Sequence, residues 1–242
     1  MSSLKFNGKD AWFVTPDNKY GLATYAMKNI THGDFSFLVD VQVDWDSMNP
    51  DDLSREGGII IKNGMHLGIA AYTPKKDTYF IKSTIWAKKE NETECKAYDI
   101  QFKSTDVING ETGRYNIGLT YNQEDKKFGV FCNGEWIDME FEGELMDYTN
   151  SWLWFGAANP LESCPQEFRH FFNGELFFAG VYSKALNRVE IENIFANQTN
   201  VDKSLNPVAI FDFKRQTPYK ALDISGVGNN LIMFDTEWMD SI

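Results

Sequence analysis

Three Asn-Gly dipeptides, Asn63-Gly64, Asn133-Gly134 and Asn173-Gly174, each separate two apolar or alternating runs. A type I′ turn needs positive φ at both central positions, which Asn and Gly adopt more readily than other residues, so each dipeptide predicts a tight β-hairpin. Comparable runs bounded by turn residues recur along the chain, among them 34–45, 57–72, 78–87, 113–121 and 127–141, then 151–158, 171–182, 206–213 and 229–234. So many strands must each bury a face, and they do so by closing into stacked sheets. The expected fold is therefore all-β, a two-sheet antiparallel sandwich. Nineteen Phe, ten Tyr and seven Trp agree with it, because aromatic side chains pack well on a pleated surface. No linker or low-complexity stretch interrupts the pattern, so residues 1–242 are expected to form a single domain.

One segment breaks the strand rhythm. Leu186, Asn187, Glu190 and Ile191 stand at the N′, N-cap, N3 and N4 positions of a short helix expected near 188–196. Asn187 can accept from first-turn amides while Glu190 reaches back to the Asn187 N–H, which makes a capping box. Leu186 against Ile191 completes a hydrophobic staple. Ile191, Ile194 and Phe195 then form a narrow apolar face, so the helix must dock on a sheet to be stable.

Charge and cysteine content narrow the partners. A formal net charge of −12 repels phosphate backbones and anionic lipid, which argues against nucleic acid and membrane surfaces. No run approaches the roughly 18 apolar residues of a spanning helix, so no membrane insertion is expected. Cys95, Cys132 and Cys164 are too few and too scattered for a disulfide framework or a zinc site, and free thiols are expected. The opening MSSLKFNGKDAWF has no basic segment followed by an apolar one, so synthesis in the cytoplasm without a signal peptide is the expectation. His32, His66 and His170 are not placed in a recognisable nucleophile arrangement, and neither G-x-G-x-x-G nor a P-loop occurs.

The stretch FNGELFFAGVYSKALNRVEI (172–191) closely resembles the last strand and short helix of concanavalin A-like lectin/glucanase domains of the laminin-G and pentraxin-like type. Upstream segments follow that family in order. LKFNGKDAWFVTP resembles its opening strand pair and DFSFLVDVQVDW its second landmark strand. RYNIGLTYNQEDKKFGVFCNGEWI is similar to its central strand and hairpin, and LWFGAANP to its strand ending in Gly-Ala. The likeness covers most of residues 4–196 and implies a jelly-roll sandwich. DISGVGN, from Asp223 to Asn229, resembles a family segment that often precedes the opening strand, yet here it lies near the C-terminus. Residues 205–238 are accordingly expected to return beside the N-terminal strands, as a circular permutation would place them.

Three kinds of chemistry are open to such a sandwich. Laminarinase-type glucanases carry E-x-D-x-E on one strand, where alternation puts all three carboxylates on one face and a retaining pair lies roughly 5 Å apart. This chain has Asp138 and Glu140, but Trp136 replaces the first carboxylate, and the shifted register Asp138, Glu140, Glu142 inverts the residue types. An outward acidic face is the expectation. Many relatives hold calcium with loop carboxylates, and the clusters Asp44, Asp46, Asp51, Asp52 and, apart from them, Asp223 are the candidates for that ion. For Asp223 an Asx-turn accounts for the residue without metal. No other cofactor is expected. Finally, a carbohydrate site needs aromatic faces for the apolar side of a pyranose with amides and carboxylates around them. Alternation in SWLWFGAAN sets Trp152 and Trp154 on an outward face with Asn150 and Asn159 near the ends, and Trp136 is a further outward aromatic.

The leading expectation is a non-catalytic carbohydrate-binding or adhesion module whose partner is a glycan. The alternative is a structural protein of a larger assembly, such as a decoration or appendage protein on a bacteriophage virion, with other protein chains or copies of itself as partners. A glucanase is the third reading. Burial of Trp152 and Trp154 in an oligomer favours the assembly role, and exposure of the pair favours glycans.

Overall fold

The computed structural model describes residues 3–7, 12–14, 30–48, 56–62, 67–89, 94–107, 112–146, 153–156, 171–213, 220–234 and 237–239. In chain order the elements are β1 (Ser3–Asn7), β2 (Trp12–Val14), β3 (Phe35–Val43), β4 (Glu56–Lys62), β5 (Leu67–Lys75) and β6 (Thr78–Lys88). β7 (Cys95–Lys103), β8 (Arg114–Asn122), β9 (Lys127–Cys132), β10 (Glu135–Glu140), β11 (Glu144–Leu145), β12 (Leu153–Phe155) and β13 (Asn173–Tyr182) follow. The helix α1 (Arg188–Ala196) precedes β14 (Pro207–Asp212), β15 (Lys220–Ala221), β16 (Leu231–Phe234) and β17 (Glu237–Met239).

These strands form two antiparallel sheets, as the turn-bounded runs imply. The first runs β10-β9-β8-β3-β13-β1-β17, with β14 also on β13; the second runs β11-β6-β5-β4-β12-β2-β16-β15, with β7 also on β6. The tail strands reach the N-terminal ones: β17 pairs with β1 through Leu4 and Trp238, and β16 pairs with β2 through Phe13 and Met233. β13 is shared along its length, its first part pairing with β1 and its last part with β14.

Alternation sets the core. Phe35, Phe37, Val39, Val41 and Val43 of β3 point inward with Ile117 and Leu119 of β8, against Ile69, Ile81, Ile85, Leu153 and Phe155 of the second sheet. The opposite face of β3 is also buried in part, at Leu38, because α1 covers it. Leu38, Phe131, Phe178, Tyr182, Leu186, Ile191 and Ile210 form a second apolar cluster outside the first sheet. The capping box is present: the Asn187 side chain accepts from the Glu190 N–H at 3.0 Å, and the Asn187 N–H donates to Glu190 Oε2 at 3.0 Å.

The three Asn-Gly dipeptides have three fates. Asn133 (φ 47°) and Gly134 (φ 95°) make the expected type I′ turn between β9 and β10. Asn63-Gly64 lies outside the described residues, between the paired strands β4 and β5. Asn173-Gly174 is not a hairpin turn; it opens β13, pairing with Asn7 and Phe6 of β1, while Gly174 also pairs with Val43 of β3. Glycine is needed there for close packing. At a φ of 152°, a Cβ on Gly174 would lie 2.1 Å from the Gln42 carbonyl oxygen.

A cleft at the end of the sandwich

Where β3 ends at Val43, the chain turns through a short 3-10 segment, Trp45–Ser47, at the rim between the two sheets. Several bonds fix this turn. The Val43 N–H donates to Gly113 O at 2.8 Å, the Asp44 N–H donates to Asn173 O at 3.1 Å, and Asn173 Nδ2 donates to Ser47 Oγ at 2.6 Å. Gly113 sits at φ 73°, where a Cβ would meet Val43 O at 2.6 Å.

The turn presents Trp45 to a cleft of about 590 Å³ that draws on both sheets. Gln42, Asp44, Asp46, Thr112 and Gly113 line it from the first sheet and its loops, and Tyr79, Ser104 and Thr105 from the second. Trp45 stacks on Tyr79 with ring centroids 5.1 Å apart and planes 24° from parallel. Its N–H donates to the Tyr115 hydroxyl at 3.2 Å, and the Tyr115 ring meets it edge to face at 6.0 Å. Burial pushes the Tyr115 phenol well above its ordinary range, against the pull of the Trp45 hydrogen bond, so it stays neutral. The indole is held on its face, its edge and its nitrogen, which makes an aromatic wall that needs little ordering on binding.

The sequence candidates fall in different places. Asp44 and Asp46 both line this cleft, exposed, beside Trp45. Asp51, Asp52, Asn150, Trp152 and Asn159 lie outside the described residues. No three His, Cys, Asp or Glu side chains converge as a metal site among the described residues. Trp154 is not a wet platform. It is 4% exposed, on β12 between β4 and β2, where it pairs with Ile61. The chain itself covers it, so its burial does not report on an oligomer.

Asp223 is engaged on both carboxylate oxygens. Its Oδ1 accepts from Ile210 N–H at 2.9 Å and Ser225 N–H at 2.8 Å, and its Oδ2 from Gly228 N–H at 2.8 Å, Asn229 N–H at 2.9 Å and Ser225 Oγ at 2.8 Å. Five donors satisfy the carboxylate, which is the Asx-type role carried further. Trp136 is half-buried on the outer face of β10, the edge strand of the first sheet; a Cβ on Gly129 would lie 2.5 Å from its ring. Its N–H donates to Asp138 Oδ1 at 2.7 Å, and Lys127 Nζ pairs with Asp138 Oδ2 at 3.2 Å. Asp138 and Glu140 are thus exposed groups on an outward edge, as the hairpin position implies.

Trp45 and Tyr79 went unread as a pair in the sequence. The local signal was a Trp between two Asp in DWD, but the partner ring comes from a strand of the other sheet.

No protein-family model and no curated protein sequence matches the chain. Solved structures do. A candidate carbohydrate-binding protein from Bacteroides ovatus superposes with a TM-score of 0.63 at 14% identity, over 98% of this chain and 59% of its own. The heptameric SAP-like pentraxin from Limulus polyphemus gives 0.51 at 12% identity over 96% and 94%. The CBM40 module of the Ruminococcus gnavus IT-sialidase gives 0.53 at 12% identity over 80% and 97%. The fold is a concanavalin A-like jelly roll. This chain spans 59% of the length of the Bacteroides ovatus protein, and identities this low carry the jelly roll alone.

Proposed function

We propose that this jelly roll is a non-catalytic carbohydrate-binding module that takes a saccharide in the cleft of Trp45 and Tyr79. The observation that carries the reading is the stacked, hydrogen-bonded indole of Trp45 flanked by Gln42, Asp44, Asp46, Thr105 and Thr112. An aromatic face takes the C–H side of a pyranose, while amide, hydroxyl and carboxylate groups around it take the hydroxyls. The similar structures support it, two of them being a candidate carbohydrate-binding protein and a CBM40 module. The edge position of Asp138 and its ties to Lys127 and Trp136 favour binding over glycoside hydrolysis.

A glycan array probed with the wild type, Trp45→Ala and Tyr79→Ala tests this. A defined signal that falls at least tenfold in both variants supports the reading. A signal that survives both but is lost in Trp152→Ala moves the site to the second aromatic candidate. A blank array turns the proposal toward the structural role in a larger assembly. Hydrolysis of a β-glucan panel that disappears in Asp138→Asn would overturn the non-catalytic part.

A further inference from the structure

We infer that the cleft selects neutral glycans, built of uncharged hexose or N-acetylhexosamine units, and refuses sialylated and sulfated ones. This deepens the carbohydrate-binding reading and rests on it. The lining decides. Among the described residues that line the cleft, two are carboxylates, Asp44 and Asp46, and none is Lys, Arg or His. Both carboxylates are exposed, and neither makes a hydrogen bond or ion pair in the described structure. They are open, charge-assisted acceptors, suited to sugar hydroxyl donors.

An anionic sugar needs the reverse, a guanidinium, an ammonium or a nest of free backbone N–H groups. The N–H groups of Val43 and Asp44 are already spent on Gly113 and Asn173, and those of Trp45, Asp46 and Ser47 follow in the short 3-10 segment whose own flanking side chains are the carboxylates of Asp44 and Asp46. The uncharged lining is partly committed, Gln42 Nε2 donating to Thr112 O and Thr105 Oγ1 to Asp106 Oδ1, which leaves the Gln42 amide oxygen and the Thr105 hydroxyl oxygen as further acceptors suited to hydroxyl donors. Each like-charge pair at contact weakens binding by about fivefold even at the dielectric constant of water. The net charge of −12 adds a long-range repulsion of the same sign. The Ruminococcus gnavus module was solved with α2,3- and α2,6-sialyllactose, and the chemistry of this cleft points away from such ligands despite the shared fold.

The test is an array of matched pairs, neutral oligosaccharide cores beside sialylated and sulfated forms of the same cores. It is probed with the wild type, Trp45→Ala, Tyr79→Ala and Asp44→Asn/Asp46→Asn, each checked for native circular dichroism. The expected result is binding to neutral cores that both ring variants abolish, with at least about tenfold weaker signal once a core is charged. In Asp44→Asn/Asp46→Asn, neutral binding weakens and charged binding strengthens, so their ratio moves by about tenfold or more. Wild-type binding to neutral cores changes less than about twofold between low and high salt. Binding through Trp45 that is equal or stronger for charged cores overturns the neutral selectivity and leaves the saccharide site standing. A preference for neutral cores unmoved in Asp44→Asn/Asp46→Asn overturns the carboxylates as its cause. Binding that ignores both ring variants, or no binding to any core, overturns the saccharide site and this inference together.

Discussion

The indole N–H of Trp45 lies 3.2 Å from the hydroxyl oxygen of Tyr115, and the two rings meet edge to face at 82°. Tyr115 is fully buried in the core, so a core residue positions a rim residue. Tyr115→Phe keeps the ring and removes the bond. The expected loss of stability is about 1 kcal/mol in urea denaturation, with a fall of roughly three- to tenfold in glycan affinity by calorimetry. A stability loss with unchanged affinity would show that the bond holds the fold and not the site.

Adjacent residues Asn173 and Gly174 should behave very differently when each is replaced by Ala. Asn173→Ala loses the bond to Ser47 but keeps the backbone bond from Asp44, so the cost should stay near 1 kcal/mol. Its larger effect should be on binding, because the Trp45 turn loosens. Gly174→Ala drives a Cβ into the backbone of Gln42 at positive φ and should cost about 3 kcal/mol or more. Equal costs for the two would contradict the reading of residues 173–174 as a clamp followed by a close approach.

The seat of α1 makes a third case. A Cβ on Gly118 would lie 2.8 Å from Leu38 Cδ2 and 3.0 Å from Ile191 Cδ1, and both of those side chains are fully buried. Gly118→Ala should therefore cost about 1–3 kcal/mol by overpacking, although Ala is the better residue in isolation. Asn187→Ala, which removes the cap, should cost about 1 kcal/mol. Thermal melts of both variants, and of the pair combined, check whether the costs add. Lost cap and lost seat act on the same helix, so a combined cost below the sum is expected.

What the sequence made legible was local. The capping box at Asn187 and Glu190 and the turn at Asn133-Gly134 are short-range patterns, and both appear as read. The same Asn-Gly signal misled at Asn173, because a dipeptide reports tolerance of positive φ and not whether sheet neighbours exist on either side. β7 went unread because it lies at the margin of the second sheet and buries only Ile100 and Phe102 along its length. Alternation placed Trp154 on the face opposite Leu153 and Phe155, which holds, but nothing in that alternation tells what covers the face. The cleft was the least legible feature. Trp45, Tyr79 and Tyr115 come from three separate segments, and only the stacking of two sheets brings them together.

Alkaline pH offers a fourth test. Burial raises the phenols of Tyr115 and Tyr182 beyond the ordinary range, and burial with the charges of Glu144 and Asp34 pushes Tyr121 up to about 12. Each folded value lies above the unfolded value near 10, so the fold favours the protonated form. That contribution is fully present below pH about 10 and is lost as pH rises from there toward the folded values. Melting temperature should fall steeply above pH about 10. Phenolate absorbance should show Tyr115, Tyr121 and Tyr182 titrating late, with loss of the fold. If these three titrate near pH about 10 while the fold persists, the burial assigned to these phenols is wrong.

Asp223 gives the last prediction, and it separates two roles for one carboxylate. Its five bonds tie the loop 223–229 to Ile210 of β14, and the Ile224 N–H donates back to Ile210 O at 2.8 Å, so the loop is stitched to the outer margin of the first sheet. Asp223→Ala strands four backbone donors and should cost about 2–4 kcal/mol, whereas Asp223→Asn retains one acceptor and should cost about half as much. A calcium ligand at this position would behave otherwise: calcium would raise the melting temperature, a chelator would lower it, and both responses would vanish in Asp223→Ala. The donors already filling both oxygens leave no such response to expect from Asp223. Differential scanning calorimetry of the wild type and Asp223→Ala, each with added calcium and with chelator, decides it. A calcium-dependent shift present in the wild type and absent from the variant would replace the structural role with a metal site.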